Sequence, residues 1–240
     1  MKIHKLCLAL ALLVTTMAIG TATAAPCNNA TVNGVWGYQV GGAVGQFTSD
    51  GNGNITGSQM VTQNGVISTQ TYAGTYSVST RCIGAATVNL TGGGTAHTTF
   101  ILDNGRKGAQ MIDTDTGITA NGPGMTQGVV SCGLTGTRAT FAANLMGKIL
   151  PSSPVAYTAQ VTLDGSGHLS GSGTFIVNGA VATGSISGTY TEASDCTGTV
   201  QMSVSGFSSL NFFFVVANSG KEIFLLETDA NTEVAGNMQQ

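Results

Sequence analysis

Charge is what this 240-residue chain has least of. Lysine, arginine, aspartate and glutamate together make up 8% of it, against about 25% in an ordinary globular domain. Tryptophan occurs once, proline four times and histidine three times. Eight basic residues stand against eleven acidic ones, a net charge of −3. With no basic cluster to neutralise phosphates, nucleic acid is excluded as a partner. So few charges leave a surface of Thr, Ser, Asn, Gln and Gly, which suits a cell-exterior or matrix setting and favours association with like chains. Convincing helical periodicity is also missing, so the fold must come from strands.

What is present begins with a leader. Lys2 and Lys5 precede an apolar stretch from Leu8 to Ile19, and Ala22-Thr23-Ala24 is a small-x-small cleavage site, the three zones of a secretory signal over residues 1–24. The apolar run is shorter than the ~20 residues needed to span a bilayer. Cleavage therefore leaves no transmembrane segment and predicts a secreted, periplasmic or cell-surface protein. Loss of Lys2 and Lys5 makes the mature balance six basic against eleven acidic residues. Cys7 leaves with the leader, and Cys27, Cys82, Cys132 and Cys196 remain. An even count in an exported chain implies disulfides.

The rest of the chain is a duplication. At an offset of 114 residues, Asp50-Gly51-Asn52-Gly53 meets Asp164-Gly165-Ser166-Gly167, and Asn64-Gly65 meets Asn178-Gly179. Gly74-Thr75-Tyr76 meets Gly188-Thr189-Tyr190, each followed six residues later by Cys82 or Cys196. Further on, Asp113-Thr114-Asp115 meets Glu227-Thr228-Asp229. Upstream the offset falls to 105, where Cys27 meets Cys132. The second copy thus carries nine extra residues, assigned to the stretch from Ile149 to Pro154. A period this long means two domains rather than a solenoid. Residues 25–120 form the first copy, the turn-rich 121–130 a linker, and 131–240 the second. Equivalent cysteines in each copy predict the bridges Cys27–Cys82 and Cys132–Cys196.

Within each copy the local period is two. Tyr157, Ala159, Val161 and Leu163 alternate with Thr158, Gln160 and Thr162, the pattern of a half-buried antiparallel strand. Asn64-Gly65 and Asn178-Gly179 are hairpin signals because both turn positions need positive φ. About seven or eight short strands per copy, joined by tight turns, predict an all-β antiparallel meander. Closure into a barrel removes its exposed edges; a β-sandwich is the alternative.

Gly34-Val35-Trp36 on the first strand, a hairpin through Asp-Gly and Gly-Thr-Tyr on a middle strand resemble the layout of calycins, avidin-type barrels above all. The layout is also similar to allene-oxide-cyclase and dirigent-type barrels. The resemblance implies a barrel with a ligand-binding interior and makes Trp36, Tyr76 and Tyr190 candidate ligand contacts. It implies no biotin site, because Trp36 stands alone where avidins use several tryptophans.

Chemistry is sparse. Asp50, Asn52 and Asn54 have the spacing of oxygen ligands opening a calcium loop, but Val61 stands where the bidentate glutamate belongs, so a hairpin turn is expected and no metal or other cofactor. His97 and His168 occupy different places in the repeat and match no nucleophile. Asp113 with Asp115, and Glu227 with Asp229, place two carboxylates on one strand face. Facing inward they would form an acid–base pair; facing outward they would block edge pairing. In Phe212-Phe213-Phe214 the outward phenylalanine would need cover, from the other copy, a second chain or an apolar ligand. The leading expectation is a non-enzymatic exported binding or surface-matrix protein, with a small apolar molecule or other copies of itself as partner. The alternatives are an isomerase, cyclase or dirigent-like protein working inside the barrel, and a self-associating structural protein.

Overall fold

Alternating apolar and polar residues, broken at short intervals by glycine and asparagine, fold into sixteen antiparallel strands in the computed structural model, which describes residues 26–128, 132–206 and 209–240. The expected leader lies outside the described residues. Among them, no helix is long and apolar enough to cross a membrane.

The first eight strands are β1 (Gly34–Val40), β2 (Ala43–Ser49), β3 (Asn54–Gln63), β4 (Val66–Val78), β5 (Ile83–Leu90), β6 (Thr95–Leu102), β7 (Gly108–Asp113) and β8 (Asn121–Thr126). They pair in sequence order and close where β8 meets β1, with Trp36, Gly37 and Tyr38 opposite Thr126, Met125 and Gly124. The second eight are β9 (Ala139–Ile149), β10 (Ser153–Leu163), β11 (His168–Val177), β12 (Ala180–Glu192), β13 (Thr197–Val204), β14 (Leu210–Ala217), β15 (Glu222–Glu227) and β16 (Thr232–Gln239). They close in the same way, β16 on β9. Closure pairs every edge, and the molecule is two tandem barrels rather than two sandwiches.

Local signals act as their chemistry requires. Asn64 and Gly65 take φ of 51° and 72°, and Asn178 and Gly179 take 49° and 81°, so both hairpins have the two left-handed positions a tight primed turn needs. Cys27 is bonded to Cys82 and Cys132 to Cys196, each with Cα atoms 5.0 Å apart. Each bridge ties the start of a barrel to the loop between its fourth and fifth strands.

One expectation changes. Residues 121–126, expected to open the linker, are β8 itself. Pro123 is opposite Gln110 of β7, and it lies between the Tyr38–Gly124 pair and the bond from the Gly41 N–H to the Asn121 carbonyl, so its missing N–H leaves a one-residue gap in the pairing with β1. The extra residues of the second copy lie at and around Ile149 to Pro154, where they were expected. β9 and β10 have 11 residues each where β1 and β2 have 7, so the insertion lengthens both arms of one hairpin.

The barrels dock side by side. Outward-facing Val44, Met60 and Met125 of the first meet Phe213, Val215, Ala217, Phe224, Leu226 and Ala235 of the second. Phe213 thereby gains the cover its apolar strand needs, while Phe212 and Phe214 fill the interior of the second barrel. Full burial of Val44, Val215, Phe224 and Leu226 contributes about 1.5–3 kcal/mol per side chain. Thr62 adds a bond from its hydroxyl to the Thr232 carbonyl at 2.8 Å.

Candidate functional site

The two barrels share a frame and differ in what fills it. In both, the segment before the first strand covers one end. Tyr76 donates its hydroxyl to the Asn29 carbonyl at 3.0 Å, and Tyr190 donates to the Leu134 carbonyl at 3.2 Å. Asn29 and Leu134 are equivalent positions at the 105-residue offset, so the tyrosine retained in both copies anchors the end cover. Trp36 lies above that cover with its indole N–H donating to the Val32 carbonyl at 2.9 Å, and it stacks on Phe47 with ring centroids 6.0 Å apart.

Above Trp36 the first barrel holds a cavity of about 400 Å³. Exposed Gln63, Thr95 and Ile118 line its far end, so it opens at the rim carrying the turns after β3, β5 and β7. The cavity follows from side-chain size. Inward Ala43, Val61, Ala86, Val88, Thr98 and Ala109 line it. Their equivalents in the second barrel are Tyr157, Phe175, Val200, Met202, Phe212 and Ile223, all buried in that barrel's apolar core. The same backbone therefore encloses space in one copy and packed side chains in the other.

The lining is mostly apolar, with one polar array. Tyr72 donates its hydroxyl to Tyr38 at 3.0 Å, Tyr38 donates to Gln59 Oε1 at 2.7 Å, and Gln59 Nε2 donates to Gln70 Oε1 at 2.8 Å. All four residues line the cavity. Burial pushes both phenols above their ordinary range, so they act as neutral hydrogen-bonding groups. Glycines make room for them. A Cβ on Gly45 would stand 2.8 Å from the Tyr38 hydroxyl, and one on Gly57 would stand 2.5 Å from the Tyr72 hydroxyl.

The carboxylates flagged by the sequence have unlike surroundings. Asp113 ends β7 and lines the cavity near its mouth, as does Asp115 in the following turn. Asp115 accepts from the His97 backbone N–H at 3.1 Å and lies 2.6 Å from His97 Nδ1. The His97 contact holds its carboxyl below the usual range. In the second barrel Asp229 makes the equivalent contacts with Asn211, 2.9 Å to the backbone N–H and 2.7 Å to the side-chain amide. Both second carboxylates thus fasten a turn to the neighbouring strand.

Glu227 differs from all three. It is 1% exposed, and its Oε2 has no hydrogen-bond partner. Burial, and then the Asp229 charge, push its carboxyl up to about 7, while a bond from Tyr157 pulls the other way. It lies inside the filled barrel, beside buried Tyr157.

Asp50 forms a closed turn. Its Oδ1 accepts from the Asn52 and Asn54 backbone N–H groups at 2.7 and 3.0 Å, and its Oδ2 accepts from the Asn54 amide at 2.6 Å. Asp164 repeats this with Ser166 and His168. These bonds hold both carboxyls at about 2, as an Asx turn does.

Tyr38, Gln59, Gln70 and Tyr72 were not singled out by the sequence pattern. A usable signal existed: at the same offsets the second copy has Ala143, Gly173, Gly184 and Ile186. Comparison with protein-family models, with curated proteins and with solved structures finds no match to this chain.

Proposed function

We propose that this chain is an exported binding protein whose first barrel takes up a small, mostly apolar molecule while the second serves as its packed structural partner. The observation that carries this reading is the cavity of about 400 Å³ lined by small side chains where the second barrel has large ones. Its size lies within the range of small-molecule sites, and an apolar lining with a few convergent polar groups is their usual composition. Export is supported by the two disulfides, which persist in oxidising compartments, together with the leader read over residues 1–24. The isomerase or cyclase reading draws on Asp113 and on Asp115, which is bonded to His97, because Glu227 lies in the barrel whose interior is filled; binding needs none of these carboxylates.

The test uses N-phenyl-1-naphthylamine, a neutral fluorophore that brightens in apolar surroundings. The wild-type chain should bind one equivalent. Thr98→Phe with Ala109→Ile, which copies the second barrel, should abolish binding while leaving the fold intact. Equal binding by that variant would sink the proposal.

A further inference from the structure

Resting on that reading, we infer that the ligand of the first barrel is an uncharged molecule carrying a hydrogen-bond acceptor, such as a ketone, ester or amide carbonyl, which the Gln59–Gln70 pair receives.

The array is not required by the fold. Gln59 and Gln70 are register partners across β3 and β4, and the equivalent partners across β11 and β12 are Gly173 and Gly184. Tyr38 and Tyr72 become Ala143 and Ile186. The second barrel closes without any of the four. Burying polar groups is unfavourable unless they are bonded, so a fold that dispenses with them in one copy has no structural need of them in the other.

Proton bookkeeping gives the array its polarity. Each tyrosine has one proton to donate and each glutamine two. Tyr72 spends its proton on Tyr38, Tyr38 spends its own on Gln59, and Gln59 spends one on Gln70. One N–H on Gln59 and two on Gln70 remain for a ligand. Reversing both amides runs the chain the other way, ending on the Gln46 carbonyl that lies 3.3 Å from the Tyr72 hydroxyl. Each glutamine then still keeps one spare N–H. Either way the cavity offers donors from two adjacent amides.

The charge distribution excludes the commonest acceptor of an apolar molecule, a carboxylate. Among the described residues lining the cavity, none is lysine, arginine or histidine, and the two charged ones are Asp113 and Asp115 near the mouth. A carboxylate would lose its hydration with no counter-charge and would pass two like charges on the way in.

Displacement of N-phenyl-1-naphthylamine by three molecules of one skeleton tests this: 2-acetylnaphthalene, 2-ethylnaphthalene and 2-naphthoate. The ketone should bind about ten-fold tighter than the ethyl compound, as one or two neutral hydrogen bonds provide. The carboxylate should bind on the order of 100-fold weaker than the ketone. Gln59→Leu with Gln70→Leu, which leaves neither amide in the cavity, should remove the ketone's advantage over 2-ethylnaphthalene, and an unchanged circular-dichroism spectrum should report that the variant is folded. If the fluorophore and 2-ethylnaphthalene bind but the ketone gains nothing, or the carboxylate equals it, the acceptor assignment is overturned and the cavity reading stands. Failure of all four to bind overturns the cavity reading itself.

Discussion

Gly37 of β1 and Val215 of β14 meet so closely at the junction of the barrels that a Cβ on Gly37 would stand 2.8 Å from Val215 Cγ1. The absent side chain is what lets the strands of one barrel lie on the apolar face of the other. Gly37→Leu should therefore destabilise the chain by about 1–3 kcal/mol, the usual cost of overpacking, visible as a lower thermal midpoint. Adding Val215→Ala should recover part of the loss, and a double-mutant cycle with no coupling would contradict the contact.

The pH dependence of stability should be dominated at neutral pH by Glu227. Its carboxyl is raised in the folded chain from 4.5 to about 7, so between these values the folded state holds a proton that the unfolded state has lost. Stability then falls as pH rises through this window, by on the order of 3 kcal/mol, and levels off above it. Glu227→Gln should flatten the profile between pH 5 and 8 in thermal melts.

Below pH 4 the slope should reverse. Asp50 and Asp164 are held at about 2 by their turn bonds, so their contribution is present above about 3.8 and fades as pH falls toward 2. Asp50→Ala with Asp164→Ala should lessen acid sensitivity in that range and leave the neutral limb unchanged.

Disulfide removal should act on each barrel separately. Cys27→Ser with Cys82→Ser opens a loop of sequence separation 55, worth about 4 kcal/mol by the chain-entropy argument. Hydrogen exchange should then rise in β1 to β8 well before β9 to β16. Peptide mapping without reductant should yield the two within-barrel bridges and none between barrels.

Gly45→Ala should impair both acceptor binding and folding. Its new Cβ would crowd the Tyr38 hydroxyl at 2.8 Å and the Ser58 carbonyl at 2.5 Å, displacing the first link to Gln59. The ketone's advantage over 2-ethylnaphthalene should shrink, and the clash with the Ser58 backbone should lower the thermal midpoint by the equivalent of about 1–3 kcal/mol. The second barrel has Ala159 at this position and no tyrosine for it to meet.

Much of the frame was legible because its causes are local. Asn64-Gly65 and Asn178-Gly179 turn the chain wherever they stand, and the recurrence of Cys82 and Cys196 six residues after a tyrosine assigns the bridges without knowledge of the path between them. Pro123 misled because proline and glycine speak for a turn when neighbours are ignored. Only the positions of β1 and β7 show that this proline sits within a strand, at a gap in its pairing with β1. The carboxylate pairs were visible as pairs, but Asp115 and Asp229 are occupied by His97 and Asn211 on the next strand, a partnership set by register.

The sequence by itself determined the duplication, the meander and the disulfides, since each follows from residues near one another or from a repeat of the chain on itself. Tertiary structure alone decided that the meanders close, that they dock through Gly37 and Val215, and that one interior is open. A cavity is a sum over eight strands. Ala43, Ala86, Thr98 and Ala109 lie far apart in the chain and enclose space only because closure turns them toward one another. What the copies share, Tyr76 with Tyr190 among it, holds the frame together; the candidate site lies where they differ.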